Sequence, residues 1–194
     1  MRTLEVCFPG NRIHHTAVIY PGVKIGTGNE IGPYCIIGAP AEHKKYWGKV
    51  SKGVVIGDNN IFTGACTVDA GTENDTTIGN GCFIMKRAHI GHDALLGNDV
   101  IVTVNAVVGG HVIVMDGANL GMNVCTHQFS IIGAYSMLGM GSVVPLRKEV
   151  RPFFVYTGNP IKVLRTNDIK VKEFTKQEFV EYFNQYDKLL KNRK

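Results

Sequence analysis

The sequence has no Cys-x-x-Cys pair among its five cysteines, Cys7, Cys35, Cys66, Cys82 and Cys125. That spacing suggests neither a disulfide framework nor a zinc knuckle, and reads as free, buried thiols of a reducing cytoplasm. The opening segment, MRTLEVCFPG, lacks the apolar stretch of a signal peptide. No apolar run approaches the roughly 18–20 residues of a membrane span. A soluble, cytoplasmic protein is expected. Charged residues are scarce at 19%, whereas 44% of the chain is hydrophobic, which argues against disorder. Proline is rare (7 residues) but glycine is abundant (23) in a chain of 194, a mix that suits many regular turns in β-structure.

What the sequence does have is a repeat. Every sixth residue from Ile78 (Ile84, Ile90, Leu96, Val102 and onward to Val150) is aliphatic, Thr126 alone excepted. Glycine commonly follows, as in IGNGCF, LGNDVI and LGMGSV. Earlier blocks in the same rhythm start at Ile13 (IHHTAV, IYPGVK, IGTGNE, IGPYCI, IGAPAE) and Ile56 (IGDNNI, FTGACT, VDAGTE). A period this regular specifies the whole architecture. Each hexad reads as a short strand plus a turn, with the aliphatic anchor pointing inward. The residue four further on is often small and also inward: Ala17, Cys35, Cys66, Cys82, Ala88, Ala106 and Ser142. Glycine after the anchor is expected to ease the turn. Three hexads make a triangular coil, and coils stacked about 4.8 Å apart share a core that none could build alone. The expected fold is all-β, a parallel β-helix over residues 1–165 with a helical tail over 166–194.

Two segments break the rhythm, 43–52 (HKKYWGKVSK) and 73–77 (ENDTT), and read as loops extruded from the scaffold, where binding groups tend to sit. The repeat fades after Val150. Thr175 with Glu178 forms a capping box, Phe174 is placed to staple onto Phe179, and Phe179, Phe183, Tyr186 and Leu190 share one face of a helix expected at about 175–191. Its apolar face should pack on the β-helix or on a neighbouring subunit. The net charge of +5 is concentrated after residue 160, as a solvated tail or as a surface for an acidic partner such as a nucleotide or carrier protein.

Hexads three apart stack on one face, so those carrying His92, His111 and His127 should lie in consecutive coils, with His89 at the preceding corner. Their positions within the hexad differ, giving a shared face rather than a strict column. Imidazoles can take a proton from a sugar hydroxyl or amine. Asp93 can orient one of them, although adjacent residues on a strand point opposite ways. Gly110 offers an unobstructed N–H to an oxyanion. A shared zinc ion is the competing use of such a cluster, and no metal is expected.

At these residues the sequence resembles the UDP-N-acetylglucosamine O-acyltransferase family of lipid A synthesis. The matching stretches are IHHTAVIYPGVKIGTGNEIGPYCIIG (13–38), AHIGHDALLGNDV (88–100), NAVVGGHV (105–112), NVCTHQFSIIGAYSMLGMGSVV (123–144) and VYTGNP (155–160). The hexad alone is widely shared; AHIGHD followed by GGH and THQF is specific. The resemblance covers about 13–168. It implies a left-handed coil, a homotrimer with sites between subunits, and no resident cofactor. The donor would be an acyl-phosphopantetheine thioester on acyl carrier protein and the acceptor a UDP-sugar, with no role for nucleic acid. It further implies His92 as general base, Asp93 as its support and Gly110 as the oxyanion glycine, with His89, His111, His127 and Gln128 around the substrate. Lys45 and Tyr46 match the family's loop that meets the sugar nucleotide, where His43 stands in place of an aspartate. Asn167 matches a nucleotide-contacting asparagine, with Lys170 and Lys172 in place of the usual arginines. The family's C-terminal bundle of several helices is here reduced to one. Met140, helped by Met137, falls at the far end of the acyl groove, where a bulky residue shortens the chain accepted. An amine acceptor in place of the hydroxyl, a CoA-dependent sugar acetyltransferase, and a zinc carbonic anhydrase relative remain as alternatives.

Overall fold

The computed structural model describes residues 8–49 and 52–192; Cys7 lies outside them. The hexads fold as expected, into two- to four-residue strands wound as a three-sided solenoid. Among the described residues the first sheet has nine strands, running from Arg12–Ile13 to Lys162–Thr166, and the second and third have seven each. Strands of successive coils pair in parallel, as in His89↔Val107↔Cys125 and Leu95↔Ile113↔Ile131.

The anchors are the core. Ile84, Ile90, Val102, Val108, Val114, Leu120, Leu138 and Val144 are fully buried. Each such side chain contributes roughly 1.5–3 kcal/mol by leaving water. The small residues four further on close the core from the corners: Cys35, Cys66, Ala88 and Ala106 are also inaccessible. Cys125 departs from the expected set of buried thiols. It is exposed, because it sits one residue before its anchor, on the outer side of the strand Cys125–Thr126. The sequence had not signalled a buried asparagine ladder at one corner, in which Asn29 donates to Asn11 Oδ1 and Asn60 to Asn29 Oδ1.

The role expected of the post-anchor glycine is corrected. The left-handed turn falls two residues later, where non-glycine residues such as Asp93, Asn105, His111 and Phe129 stand as well as Gly81, Gly117 and Gly141. The glycine is needed for close approach. A Cβ at Gly32 would lie 2.7 Å from the Thr63 carbonyl oxygen, and one at Gly109 2.7 Å from that of Thr126. Small residues let the coils stack at β-sheet spacing.

Residues 40–49 leave the solenoid after the strand Ile36–Ala39, and the coil resumes with the strand Val54–Ile56; positions 50 and 51 of the expected loop 43–52 lie outside the described residues. The second excursion is shifted from its expected place: Thr76 and Thr77 belong to the strand Thr76–Ile78, so the loop is 70–75. Past Val150 a register-shifted antiparallel hairpin, Phe154–Thr157 with Lys162–Thr166, ends the first sheet, an element the fading repeat did not signal. A one-turn helix α1 (Asp168–Val171) leads to α2 (Lys176–Lys191), which carries the expected capping box between Thr175 and Glu178. The staple differs. Phe174 packs against Tyr135 (4.5 Å between ring centroids), Phe153 and Tyr182, while Phe179 meets Phe153 at 4.7 Å. The helix lays Tyr182, Tyr186, Leu189 and Leu190 over Met115, Ile131 and Ala134 of its own solenoid. No helix of the described residues is long and apolar enough to cross a membrane.

Candidate functional site

The corner between the second and third sheets gathers the imidazoles. Asp93, His111 and Phe129 are spaced by one 18-residue coil, and each takes the left-handed turn conformation, with φ of 58°, 57° and 63°. They therefore form a strict column, with His92, Gly110 and Gln128 as a second column beside it. The neighbouring side chains His92 and Asp93 meet because they occupy a corner and not a strand. His92 Nδ1 lies 2.8 Å from Asp93 Oδ2.

Asp93 is fixed by the loop 70–75. Its Oδ2 accepts from the Thr72 N–H (2.9 Å) and Thr72 Oγ1 (2.7 Å), and its Oδ1 from the N–H groups of Glu73 (2.8 Å) and Asn74 (2.7 Å). Thr76 Oγ1 accepts from the Asp93 N–H. Burial pushes this carboxyl's pKa up. The donors from Asn74, Thr72 and His92 outweigh burial and hold it well below the usual carboxylate range. An ionised carboxylate only accepts, so His92 Nδ1 carries its proton and, in the neutral ring, Nε2 is the free base.

Gly110 lies under that ring. A Cβ there would come within 2.8 Å of His92 Cε1 and Nε2, so glycine is the residue that lets the imidazole lie down. The Gly110 N–H has no acceptor among the described residues. His111 stands edge-on to His92, with ring centroids 5.1 Å apart, stacks on Phe129 at 4.6 Å, and brings Nε2 to 3.6 Å from Asp93 Oδ2. His43 reaches in from the first excursion, its ring 5.6 Å from that of His92. Such a set can take up a proton beside a buried negative charge, with an N–H available to a nascent oxyanion.

The remaining sequence candidates are spread around this core. His89 lies on the strand His89–Ile90 and not at a corner as expected, with Nδ1 2.8 Å from Thr67 Oγ1 and Nε2 3.9 Å from Asp69 Oδ2. Tyr46 is half-buried beside His43, and the Lys45 ammonium sits 5.2 Å from the Tyr46 ring. His127 and Gln128 are exposed, His127 Nδ1 lying 3.1 Å from the Gln128 carbonyl. Asn167 is at a different edge, where its amide donates to the Tyr135 carbonyl at 2.9 Å. Met137 and Met140 also lie elsewhere, on and just past a first-sheet strand, 39% and 68% exposed. Cavities flank the cluster. One of about 460 Å³ runs from His111 and Phe129 along Leu95, Ile113 and Ile131 to Leu189. The other, about 390 Å³, lies over the second sheet beside His89.

His92, Asp93 and His111 offer ligand atoms within 4.8 Å of one another. The residue types suit zinc, but the donor set does not, because both Asp93 oxygens are already occupied by Thr72, Glu73, Asn74 and His92. The cluster is a hydrogen-bonded network gathered on Asp93.

Comparison with known proteins identifies the family and the fold. The family model described as bacterial transferase hexapeptide (six repeats) matches residues 75–110. The crystal structure of LpxA, a UDP-N-acetylglucosamine acyltransferase from Bacteroides fragilis, superposes with a TM-score of 0.80 at 33% identity, over 91% of this chain and 70% of that one. The chain belongs to the UDP-N-acetylglucosamine acyltransferase family. A further family structure, from Campylobacter jejuni, superposes with a TM-score of 0.73 at 26% identity, over 96% of this chain and 90% of that one. The acyl-[acyl-carrier-protein]–UDP-N-acetylglucosamine O-acyltransferase of Verminephrobacter eiseniae is 39% identical over 153 residues, 77% of this chain. The chain spans 57% of that curated relative's length.

The residues that sequence reading missed are those that hold Asp93. Thr72, Asn74 and Thr76 sit in and beside a loop with no repeat to place them. Phe129 was within reach, since it falls 18 residues after His111 and 36 after Asp93.

Proposed function

We propose that this chain is an O-acyltransferase. It moves an acyl group from the phosphopantetheine thioester of an acyl carrier protein to a hydroxyl of UDP-N-acetylglucosamine, with His92 as general base. The observation that carries the mechanism is the 2.8 Å contact of His92 Nδ1 with a carboxylate saturated by loop donors. It leaves Nε2 as the base. Donor and acceptor come from the names of the curated relatives.

In this reading Nε2 takes the proton of the sugar hydroxyl as its oxygen attacks the thioester carbonyl. The Gly110 N–H stabilises the resulting oxyanion. Collapse breaks the C–S bond, and the proton on His92 passes to the departing thiolate. Asp93 stabilises the imidazolium in between. His89, His111, His127 and Gln128, with Lys45 and Tyr46 of the first excursion, contact the acceptor, and Asn167 adds a contact from its own edge. The thioester is brought by the donor, so the protein needs no cofactor of its own.

Met137 and Met140 occupy a different edge of the solenoid from His92. If they limit the acyl chain, one subunit's methionine edge must meet another's histidine edge, and a homotrimer closes that arrangement. The basic segment from Lys162 onward suits an acidic carrier protein.

The test is product analysis by mass spectrometry, with purified protein, UDP-N-acetylglucosamine and acyl donors on carrier protein or on CoA. A carrier-dependent acyl ester of the nucleotide sugar is expected. Transfer of acetyl from acetyl-CoA alone, or no acylated sugar nucleotide with any donor, would overturn the reading.

A further inference from the structure

Phe129 stands where its backbone favours a smaller residue. The corner it occupies is left-handed, with φ of 63°, a conformation that asparagine and glycine take most readily. Asn105, Asn123, Gly81 and Gly117 fill other corners of this kind. Two more aromatic corners, Tyr135 and Phe153, serve the fold by meeting Tyr182 and Phe179 of α2. Phe129 meets His111 instead, with ring centroids 4.6 Å apart and planes at 12°. None of the roles above uses this ring.

The backbones of the pair are fixed by the coils before them. The His111 N–H donates to the His92 carbonyl at 2.9 Å, and the Phe129 N–H to the Gly110 carbonyl at 3.0 Å. The side chains are then placed by what they touch. A phenyl face accepts a flat ring laid parallel to it, so the stack sets the plane of the His111 imidazole.

That plane matters because two imidazoles face one carboxylate oxygen. Asp93 Oδ2 accepts from the Thr72 N–H, from Thr72 Oγ1 and from His92 Nδ1. With Glu73 and Asn74 on Oδ1, the donors already fill the roughly four lone-pair sites of a carboxylate. His111 Nε2 stands 3.6 Å from the same Oδ2, beyond hydrogen-bond length. A shift of under about 1 Å would bring it to the 2.8 Å at which His92 sits. There it would compete with His92 Nδ1 for the oxygen.

We propose that Phe129 is a positioning residue, whose ring stacks on His111, holds that imidazole off Asp93 and so reserves the carboxylate for His92. This rests on acyl transfer with His92 as general base, as proposed above. Phe129 touches no reacting atom and acts through His111.

Transfer from acyl carrier protein to UDP-N-acetylglucosamine is measured for wild type, Phe129→Leu, Phe129→Tyr, His111→Ala and the double variant of Phe129→Leu with His111→Ala. Phe129→Leu keeps apolar bulk and removes the flat face. Its kcat should fall by at least about tenfold, the worth of one charge-assisted hydrogen bond, with KM for the acceptor changing less. Phe129→Tyr restores the face and should stay within about threefold of wild type. In the His111→Ala background Phe129→Leu should cost nothing further, because the competitor is gone. Should Phe129→Leu fail to fold, Phe129→Asn takes its place, since asparagine suits the left-handed corner. Nitrogen-15 spectra of the imidazoles read the same contact without turnover. In the neutral ring His92 should carry its proton on Nδ1 in wild type and in Phe129→Tyr, and lose that preference in Phe129→Leu. A kcat for Phe129→Leu within about threefold of wild type, a His92 spectrum that does not change, or equal losses in both backgrounds would overturn the proposal. If wild type transfers no acyl group while the His92 tautomer depends on Phe129, the acyl-transfer reading fails and the positioning role stands.

Discussion

Replacing Gly110 by alanine separates the two roles that this residue combines. The new Cβ would lie 2.8 Å from His92 Cε1 and Nε2 and 3.2 Å from Cδ2. Comfortable contact requires about 3.6 Å, so the ring must retreat by about 0.8 Å. The retreat stretches the 2.8 Å contact of Nδ1 with Asp93 past hydrogen-bond length, or swings Nε2 off its line to the acceptor. The backbone N–H survives the substitution, so the oxyanion donor is retained. A displacement near 1 Å costs on the order of 10²-fold in rate, or about 2.7 kcal/mol in the barrier. Steady-state transfer from acyl carrier protein to UDP-N-acetylglucosamine should show kcat down by about 10²-fold, with KM for the acceptor little changed. Thermal stability should barely move, because the atom that yields is a side chain. A variant whose kcat stays within about threefold of wild type would refute the claim that the position of this ring governs turnover.

Three further perturbations follow from the same contacts. Thr72→Val removes one donor from Asp93 Oδ2. The folded pKa of Asp93 is depressed, so the stability it contributes is present above the unfolded value of about 3.9 and is lost as pH falls through the folded value. The variant raises the folded value, so acid unfolding followed by circular dichroism should begin at higher pH. Phe153→Ala removes a fully buried ring that meets Tyr135, Phe174, Phe179, Tyr182 and Phe183. A loss of about 3–5 kcal/mol is expected, with α2 as the first element to lose amide protection; an unchanged melt would contradict that packing. Met140→Gly should shift donor preference toward longer chains, by about fourfold per added methylene at about 0.8 kcal/mol each. Unchanged selectivity across donors of graded length would reject a chain-length role for Met140.

The solenoid was legible because its period is set by single residues. An aliphatic anchor at every sixth position from Ile78 to Val150, Thr126 excepted, leaves one way to build a common core, and the capping box at Thr175 marked the start of α2 to the residue. The hairpin Phe154–Thr157 with Lys162–Thr166 was not legible, because it is antiparallel and irregular and owes its pairing to the end of the coil. Within the site, stacking in 18-residue steps put His92 and His111 together in advance. The support of His92 by Asp93 looked unfavourable under strand geometry and became possible through the left-handed corner. Thr72, Asn74 and His43 come from excursions whose paths no period encodes.

The most direct measurement is single-turnover acyl transfer by His92→Ala, with affinity for UDP-N-acetylglucosamine measured on the same sample. The account predicts transfer reduced by about 10²–10⁴-fold, the usual worth of a general base, with nucleotide binding and melting temperature near those of wild type. Transfer at a near-normal rate in that variant would mean that another group accepts the proton.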